Sequence, residues 1–139
     1  MILLDTSGLL SAIDESQRQH ARCVAAIGGA EGELLLSPFI LAELDYLLSV
    51  RVGTAAQRML LDEVARGAYV LEPFSTRDVA AALDVIVRYG DLDIGLADAS
   101  IVVLAARHGV RDVLTLDERH FRALRTLDRR RFRILPADA

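Results

Sequence analysis

Met1-Ile2-Leu3-Leu4-Asp5-Thr6-Ser7 opens the chain. It reads as a short buried strand stopped by an aspartate at the start of a helix. An apolar run without polar alternation suits a strand covered on both faces rather than one lying half in water. Helical stretches follow from about Ser7 and from about Gln17. The same unit then recurs: Gly28-Gly29 and Glu31-Gly32 mark a turn before Glu33-Leu34-Leu35-Leu36. Ser37-Pro38 is read as the N-cap and first residue of a helix running to about Val52, where Gly53 stops it. Thr54 opens another helix ending near Gly67, Tyr69-Val70-Leu71 is a third strand ended by Pro73, and Ser75 caps a helix that reaches Tyr89. Gly90 to Asp93 form a loop, Ile94 to His108 is a helix closed by Gly109, and Asp112 to Thr115 is a fourth strand. A short helix from about Glu118 and a candidate fifth strand, Phe132 to Leu135, complete the chain. Strands separated by helices predict an α/β fold with a central parallel sheet of four or five strands, covered on both faces.

A chain of 139 residues with no linker, repeat or low-complexity segment is expected to be one domain, residues 1–139. Apolar residues make up 53% of it, enough for one sizeable core. The net charge of −4 argues against a generic nucleic-acid coat protein. All 16 basic residues are arginine. Without lysine there can be no Walker A phosphate loop and no Schiff-base chemistry. The single Cys23 forms no internal disulfide and anchors no zinc ribbon, so it is read as a small buried hydrophobe. The start of the chain lacks a basic n-region, and the longest apolar run, Ile94 to Ala106, is broken by Asp98. A cytoplasmic location is therefore expected.

Four acids stand where the pattern wants something else. Asp5 ends the first strand and Asp117 lies just past the fourth, and in parallel sheets ligands sit in the crevice beyond the carboxyl ends of strands. Taken singly, a strand-end aspartate more often only caps the next helix. Glu43 falls between Phe39 and Leu47, close to Ile40, on the apolar stripe of its helix, which predicts a carboxylate inside the buried face. Asp98 repeats the anomaly among Ile94, Ile101, Val102 and Ala105. A buried unpaired carboxylate costs several kcal/mol or is forced neutral, and a core arginine pairing with one of them is the plain alternative. Together they have a shared explanation in a divalent cation. Carboxylates about 4 Å apart repel by roughly 4 kcal/mol at an effective dielectric near 20, and a bound Mg²⁺ or Mn²⁺ reverses the sign. No cysteine pair or His-x₃-His spacing points to zinc, and His20, His108 and His120 are scattered and read as surface or core residues.

Ile2-Leu3-Leu4-Asp5-Thr6-Ser7, Ser37-Pro38 with Ala42-Glu43-Leu44, Leu96-Ala97-Asp98-Ala99, and Leu114-Thr115-Leu116-Asp117-Glu118-Arg119-His120-Phe121 resemble, in order, the successive motifs of PIN domains. The resemblance covers almost the whole chain. In size and in lacking further domains the chain is similar to VapC-like toxins of VapBC toxin–antitoxin pairs. This likeness implies a three-layer α/β/α sandwich and a Mg²⁺-dependent endoribonuclease, with Mn²⁺ as substitute. It implies that Asp5, Glu43, Asp98 and Asp117 are the catalytic, metal-holding acids, with Thr6 or Ser7 supporting Asp5 or a metal-bound water. It implies attack by a metal-activated water on an RNA phosphodiester, leaving 5′-phosphate and 3′-hydroxyl ends. The implied partners are an RNA substrate, a cognate VapB-like antitoxin and a second copy of the chain in a homodimer. Asp91 and Asp93, just before the Asp98 helix, are read as loop or capping residues.

Other readings fit less of the sequence. A haloacid-dehalogenase-type phosphatase needs a second aspartate where Ser7 stands and commonly uses a lysine, as does a response-regulator receiver. A non-catalytic PIN-like binding module typically loses some of the acids, and a housekeeping RNA-processing nuclease keeps the same site. From Arg119 to Arg133 the chain carries seven arginines. They are either a solvated face or a phosphate track leading to the metals, with Arg119 and Arg122 as candidate RNA-phosphate contacts. Leu47, Leu48, Val52, Met59, Leu60 and Val64 exceed what one small domain is expected to bury and form a candidate antitoxin groove or dimer face.

Overall fold

The computed structural model describes residues 1–139. Its strands are β1 (Ile2–Leu4), β2 (Leu34–Leu36), β3 (Val70–Leu71), β4 (Asp112–Leu114) and β5 (Arg133–Leu135). Its helices are α1 (Thr6–Ile13), α2 (His20–Gly28), α3 (Pro38–Arg51), α4 (Thr54–Ala65), α5 (Thr76–Arg88), α6 (Leu96–His108) and α7 (Glu118–Ala123). The strands form one parallel sheet in the order β3-β2-β1-β4-β5. Ile2, Leu3 and Leu4 are all buried although successive side chains point to opposite faces, so β1 is covered on both sides. The expected α/β sandwich is what the chain forms.

The sheet order places a switch point between β1 and β4. The chain leaves β1 for β2 on one side, and β4 later pairs on the other, which opens a crevice beyond the carboxyl ends of these two strands. Gly8 lets α1 close on that crevice. A Cβ there would lie 2.5 Å from the backbone oxygen of Leu114, so only glycine brings the helix this near β4.

Boundaries differ from the sequence expectation for local reasons. The helix expected from about Gln17 begins at His20, because the Asp14 carboxylate holds a turn by accepting from Ser16 N, Ser16 Oγ and Gln17 Nε2. The helix expected from Ile94 begins at Leu96, with Gly95 extended at its N-cap. Ser37 and Pro38 start α3 as expected, the Ser37 hydroxyl accepting from Phe39 N. Ser75 and Asp78 close a reciprocal capping box on α5.

α6 is the central helix, buried without a break from Ala99 to Ala105. Both of its ends are tied down. Near its start, Ser100 Oγ meets Ser37 Oγ at 2.7 Å and donates to Ala97 O at 2.6 Å. At its far end, Arg107 and His108 pair with the buried Glu72 carboxylate that follows β3. Cys23 lies in the core.

Candidate active site

The carboxyl ends of β1 and β4 bring Asp5 and Thr115 side by side. Asp5 N continues the ladder to Leu114 O at 3.0 Å, and its side chain is only 5% exposed. Thr115 Oγ1 donates to Asp5 Oδ2 at 2.6 Å and Ser7 Oγ donates to the same oxygen at 3.1 Å. Ser7 Oγ in turn accepts from Leu116 N at 2.9 Å, and Thr115 Oγ1 accepts from Asp117 N at 2.9 Å. Two hydroxyls thus lock Asp5 to the β4–α7 turn. Burial pushes the Asp5 carboxyl above its ordinary range; hydrogen bonds from Thr115, the Thr6 backbone and Ser7 oppose this, and repulsion from Asp117 adds to it.

Asp98 enters from the first turn of α6, half-buried, where the helix N-terminus favours negative charge. Its carboxyl is pushed up to about 6, first by burial and then by the Asp5 carboxylate, with Asp117 and Glu43 adding to the rise and His120 opposing it. Asp117 caps α7, its Oδ1 accepting from His120 N at 3.1 Å. The His120 ring stands between the last two acids, with Nδ1 2.9 Å from Asp117 Oδ2 and 3.4 Å from Asp98 Oδ2. These are ion-pair distances, but the ring is out of line for a hydrogen bond, and Nδ1 is buried without a hydrogen-bond partner.

Glu43 joins from α3 and corrects the sequence expectation. It is exposed, because the buried seam of α3 is Ile40, Leu44 and Leu48, while Phe39 and Leu47 are only partly covered. It reaches the site at its rim, where Thr6 Oγ1 donates to Glu43 Oε1 at 2.8 Å. Asp91 and Asp93 are exposed in the turn before α6, Asp93 with a left-handed φ of 53°.

The groups here are hydroxyl and carboxylate oxygens with one imidazole, His120, and no thiolate, and the carboxylates suit a hard divalent cation. The acids do not close round one point; no three acidic, histidine or cysteine groups come together at metal-holding distance. Each acid is instead turned to a partner of its own: Asp5 to Thr115 and Ser7, Glu43 to Thr6, and Asp98 and Asp117 towards His120. The raised Asp98 carboxyl marks the site as one where positive charge would be favourable.

Thr115, His120 and the Ser37–Ser100 contact were not singled out from the sequence as parts of the site. Asp117 and His120, three apart on a short helix, share one face, which was the available signal for His120. The arginines divide. Arg119 is exposed with no carboxylate partner, whereas Arg122 is held by Glu118 and Asp138 at 2.8 and 2.7 Å. The remaining arginines of the tail do not track towards the acids, because the chain returns to the opposite edge of the sheet before β5 begins. Of the apolar residues expected at a docking surface, Leu48 and Leu60 are in the core; Met59 and Val52 are exposed. An apolar groove of about 330 Å³ does exist, between α1, α2 and α4, lined by Leu9, Ile13, Val24, Ile27, Met59 and Leu60 among others.

Residues 2–138 match the PIN domain family. The chain is 41% identical over 135 residues to Ribonuclease VapC26 of Mycobacterium tuberculosis, an alignment covering 97% of this chain and all of that protein. Among solved structures it is similar to Mycobacterium tuberculosis VapC20, described as a sarcin-ricin loop cleaving toxin, with a TM-score of 0.78, 18% identity and coverage of 84% of this chain and 90% of that one. It is also similar to a chain of the DNA-bound VapBC of Salmonella typhimurium, with a TM-score of 0.66, 18% identity and coverage of 96% of each chain. At these identities the two structures speak for the fold.

Proposed function

The chain belongs to the PIN-domain family, and on that premise we propose that it is a divalent-metal-dependent endoribonuclease acting as the toxin of a VapBC-type pair. The observation that carries the reading is the convergence of Asp5, Glu43, Asp98 and Asp117 on one crevice, felt as the rise of the Asp98 carboxyl to about 6. The 41% identity to a ribonuclease over nearly the full chain supports the choice of RNA.

Asp5 and Asp98 are the inner metal-holding residues, and Asp117 and Glu43 complete the set from the rim. Bound there, Mg²⁺ or Mn²⁺ supplies positive charge at the phosphodiester and acidifies a water. Thr115 and Ser7 fix the Asp5 carboxylate through one of its oxygens. Thr6 orients Glu43. The His120 ring lies between α7 and α6 at the two remaining carboxylates, and Arg119, exposed and without a carboxylate partner, is the α7 guanidinium left to meet a phosphate. Water attacks the phosphorus, the ribose 3′-oxygen leaves, and the products carry 5′-phosphate and 3′-hydroxyl ends.

The antitoxin reading rests on the apolar groove between α1, α2 and α4, which suits the apolar face of a helix. The exposed stripe Val79, Leu83 and Val87 on α5 suits a second copy of the chain. The test is to incubate the purified chain with cellular RNA in Mg²⁺, in chelator, and in chelator followed by Mn²⁺, and to sequence the new 5′ ends. Cleavage is expected with either metal and in no other condition, leaving ligatable 5′-phosphates. Undiminished cleavage in chelator would contradict the metal assignment. Intact RNA under every condition would contradict the ribonuclease reading.

A further inference from the structure

The arginines of the last third of the chain fall into two groups. Arg119 and Arg122 sit on α7 beside the acids. Arg111, Arg129, Arg130, Arg131 and Arg133 are all exposed, and they gather around the starts of β4 and β5. Their connections are specific. Arg133 N donates to Arg111 O at 2.9 Å, and Arg111 Nη1 donates to Arg131 O at 3.3 Å. Arg125 and Arg131 form an antiparallel bridge that draws the intervening residues into a tight loop. Buried Thr126 braces the loop, its Oγ1 accepting from Arg130 N at 2.9 Å, and Arg129 turns the chain with a left-handed φ of 70°. Every strand of the parallel sheet starts at this edge and ends at the edge of the acids, so the cluster and the active site lie at opposite ends of the strands.

Carboxylates neutralise two of these five guanidinium groups. Arg130 pairs with Asp128 at 2.7 Å and Arg133 with Asp112 at 3.0 Å. Arg111, Arg129 and Arg131 have no acidic partner, so positive charge is in excess around the starts of β4 and β5, with Glu31 the acid that faces Asp112 and Arg133 across the same edge. A guanidinium free of carboxylate is a strong, bidentate phosphate ligand, and a cluster of them on one face is the footprint of a polyanion. The aromatic ring of this segment, Phe132, is buried against Phe121, so no ring is offered for base stacking. Contacts would be to backbone phosphate and blind to sequence.

We propose that this edge is a second RNA-binding surface that grips the substrate's phosphate backbone away from the scissile bond. The proposal rests on the ribonuclease reading above. The strands themselves span roughly 10 Å, and the arginines and the acids lie in the segments beyond their two ends, so the path between them over the surface is longer than the sheet. A folded RNA reaches both, while an oligonucleotide that only fills the acidic crevice does not.

The test compares the chain with Arg111→Gln/Arg129→Gln/Arg131→Gln and with the corresponding triple lysine variant. Binding of a hairpin RNA is followed by fluorescence anisotropy across a salt series, with Asp5→Asn added to each protein to prevent cleavage. Each lost phosphate contact removes about 0.7–0.9 from the slope of log affinity against log salt, so the glutamine variant is expected to lose about 2. Its affinity at low salt is expected to fall about tenfold or more, with lysine recovering most of it. With Asp5 intact, KM for hairpin cleavage rises with kcat preserved, and cleavage of a short single-stranded oligonucleotide is unchanged. An unaltered KM for hairpin cleavage, or an unchanged salt slope for hairpin binding, would overturn the proposal. Equal loss on the short oligonucleotide would overturn it too, by pointing to a damaged fold. Failure of the parent chain to cut any RNA is read separately and strikes the ribonuclease assignment.

Discussion

Replacing Asp98 with asparagine should stabilise the metal-free protein while destroying its activity. In the folded chain the Asp98 carboxyl is pushed from 3.8 up to about 6 by burial and by the Asp5, Asp117 and Glu43 carboxylates, against a smaller pull from His120. At about 1.4 kcal/mol for each tenfold change in proton affinity, ionised Asp98 costs the folded state about 3 kcal/mol at neutral pH. Burial is the larger part of that cost, and an asparagine amide retains some of it, so the expected gain is about 1–3 kcal/mol. For a domain of this size that raises Tm by roughly 4–10 °C. The sign sets the pH dependence. A carboxyl whose pKa is raised on folding stabilises the folded state fully below the unfolded value of 3.8 and loses that contribution as pH climbs to about 6. The advantage of asparagine is therefore full above pH 6, about half as large near pH 5, and gone below the unfolded pKa. Thermal unfolding by circular dichroism, in chelator at several pH values, reads this directly. Adding Mg²⁺ should raise the Tm of the parent and leave that of the variant nearly unmoved. A variant no more stable than the parent at neutral pH in chelator would refute the claim that these acids repel one another.

Three further outcomes are expected. Thr115→Val removes the hydroxyl that donates to Asp5 and accepts from Asp117 N; it should cost about 1–3 kcal/mol in chemical denaturation and lower cleavage, and a neutral result would show that Asp5 is held some other way. Gly8→Ala drives a methyl into the backbone of Leu114 and should cost about 3 kcal/mol or more, seen as loss of soluble, cooperatively melting protein. Expression of the chain alone should arrest growth, and co-expression of a small protein encoded beside it should relieve the arrest. The Asp5→Asn variant should be harmless at equal soluble yield, and a harmless parent would remove the toxin reading while leaving the nuclease reading standing.

The fold was legible because each strand is an apolar run and each helix start carries its own signal. Ser37-Pro38 and Ser75 with Asp78 are local devices that act as their sequence says. Asp5, Asp98 and Asp117 were legible because strand ends and an apolar helix face make a carboxylate conspicuous. Glu43 was found for a reason the structure corrects. The circumference of α3 places it between Phe39 and Leu47, but which arc of a helix is buried depends on what packs against it, and the seam runs through Ile40, Leu44 and Leu48. His120 stayed hidden because a lone histidine on one helical turn gains meaning only when α6 delivers Asp98 to its other side. The arginine tail stayed open between a solvated face and a phosphate track because proximity in sequence does not place it: a strand parallel to β4 must begin where β4 began, so the chain after α7 carries Arg129 to Arg133 back to the far edge.

The most direct test of the central claim, that Asp5, Glu43, Asp98 and Asp117 hold a catalytic metal, is an anomalous-scattering map of a crystal soaked in Mn²⁺. Density is expected in the crevice beyond β1 and β4, at about 2.0–2.3 Å from carboxylate oxygens of Asp5 and Asp98, with Asp117 or Glu43 completing the shell. A crevice without manganese, or manganese bound only elsewhere, in a protein that still cuts RNA would contradict it.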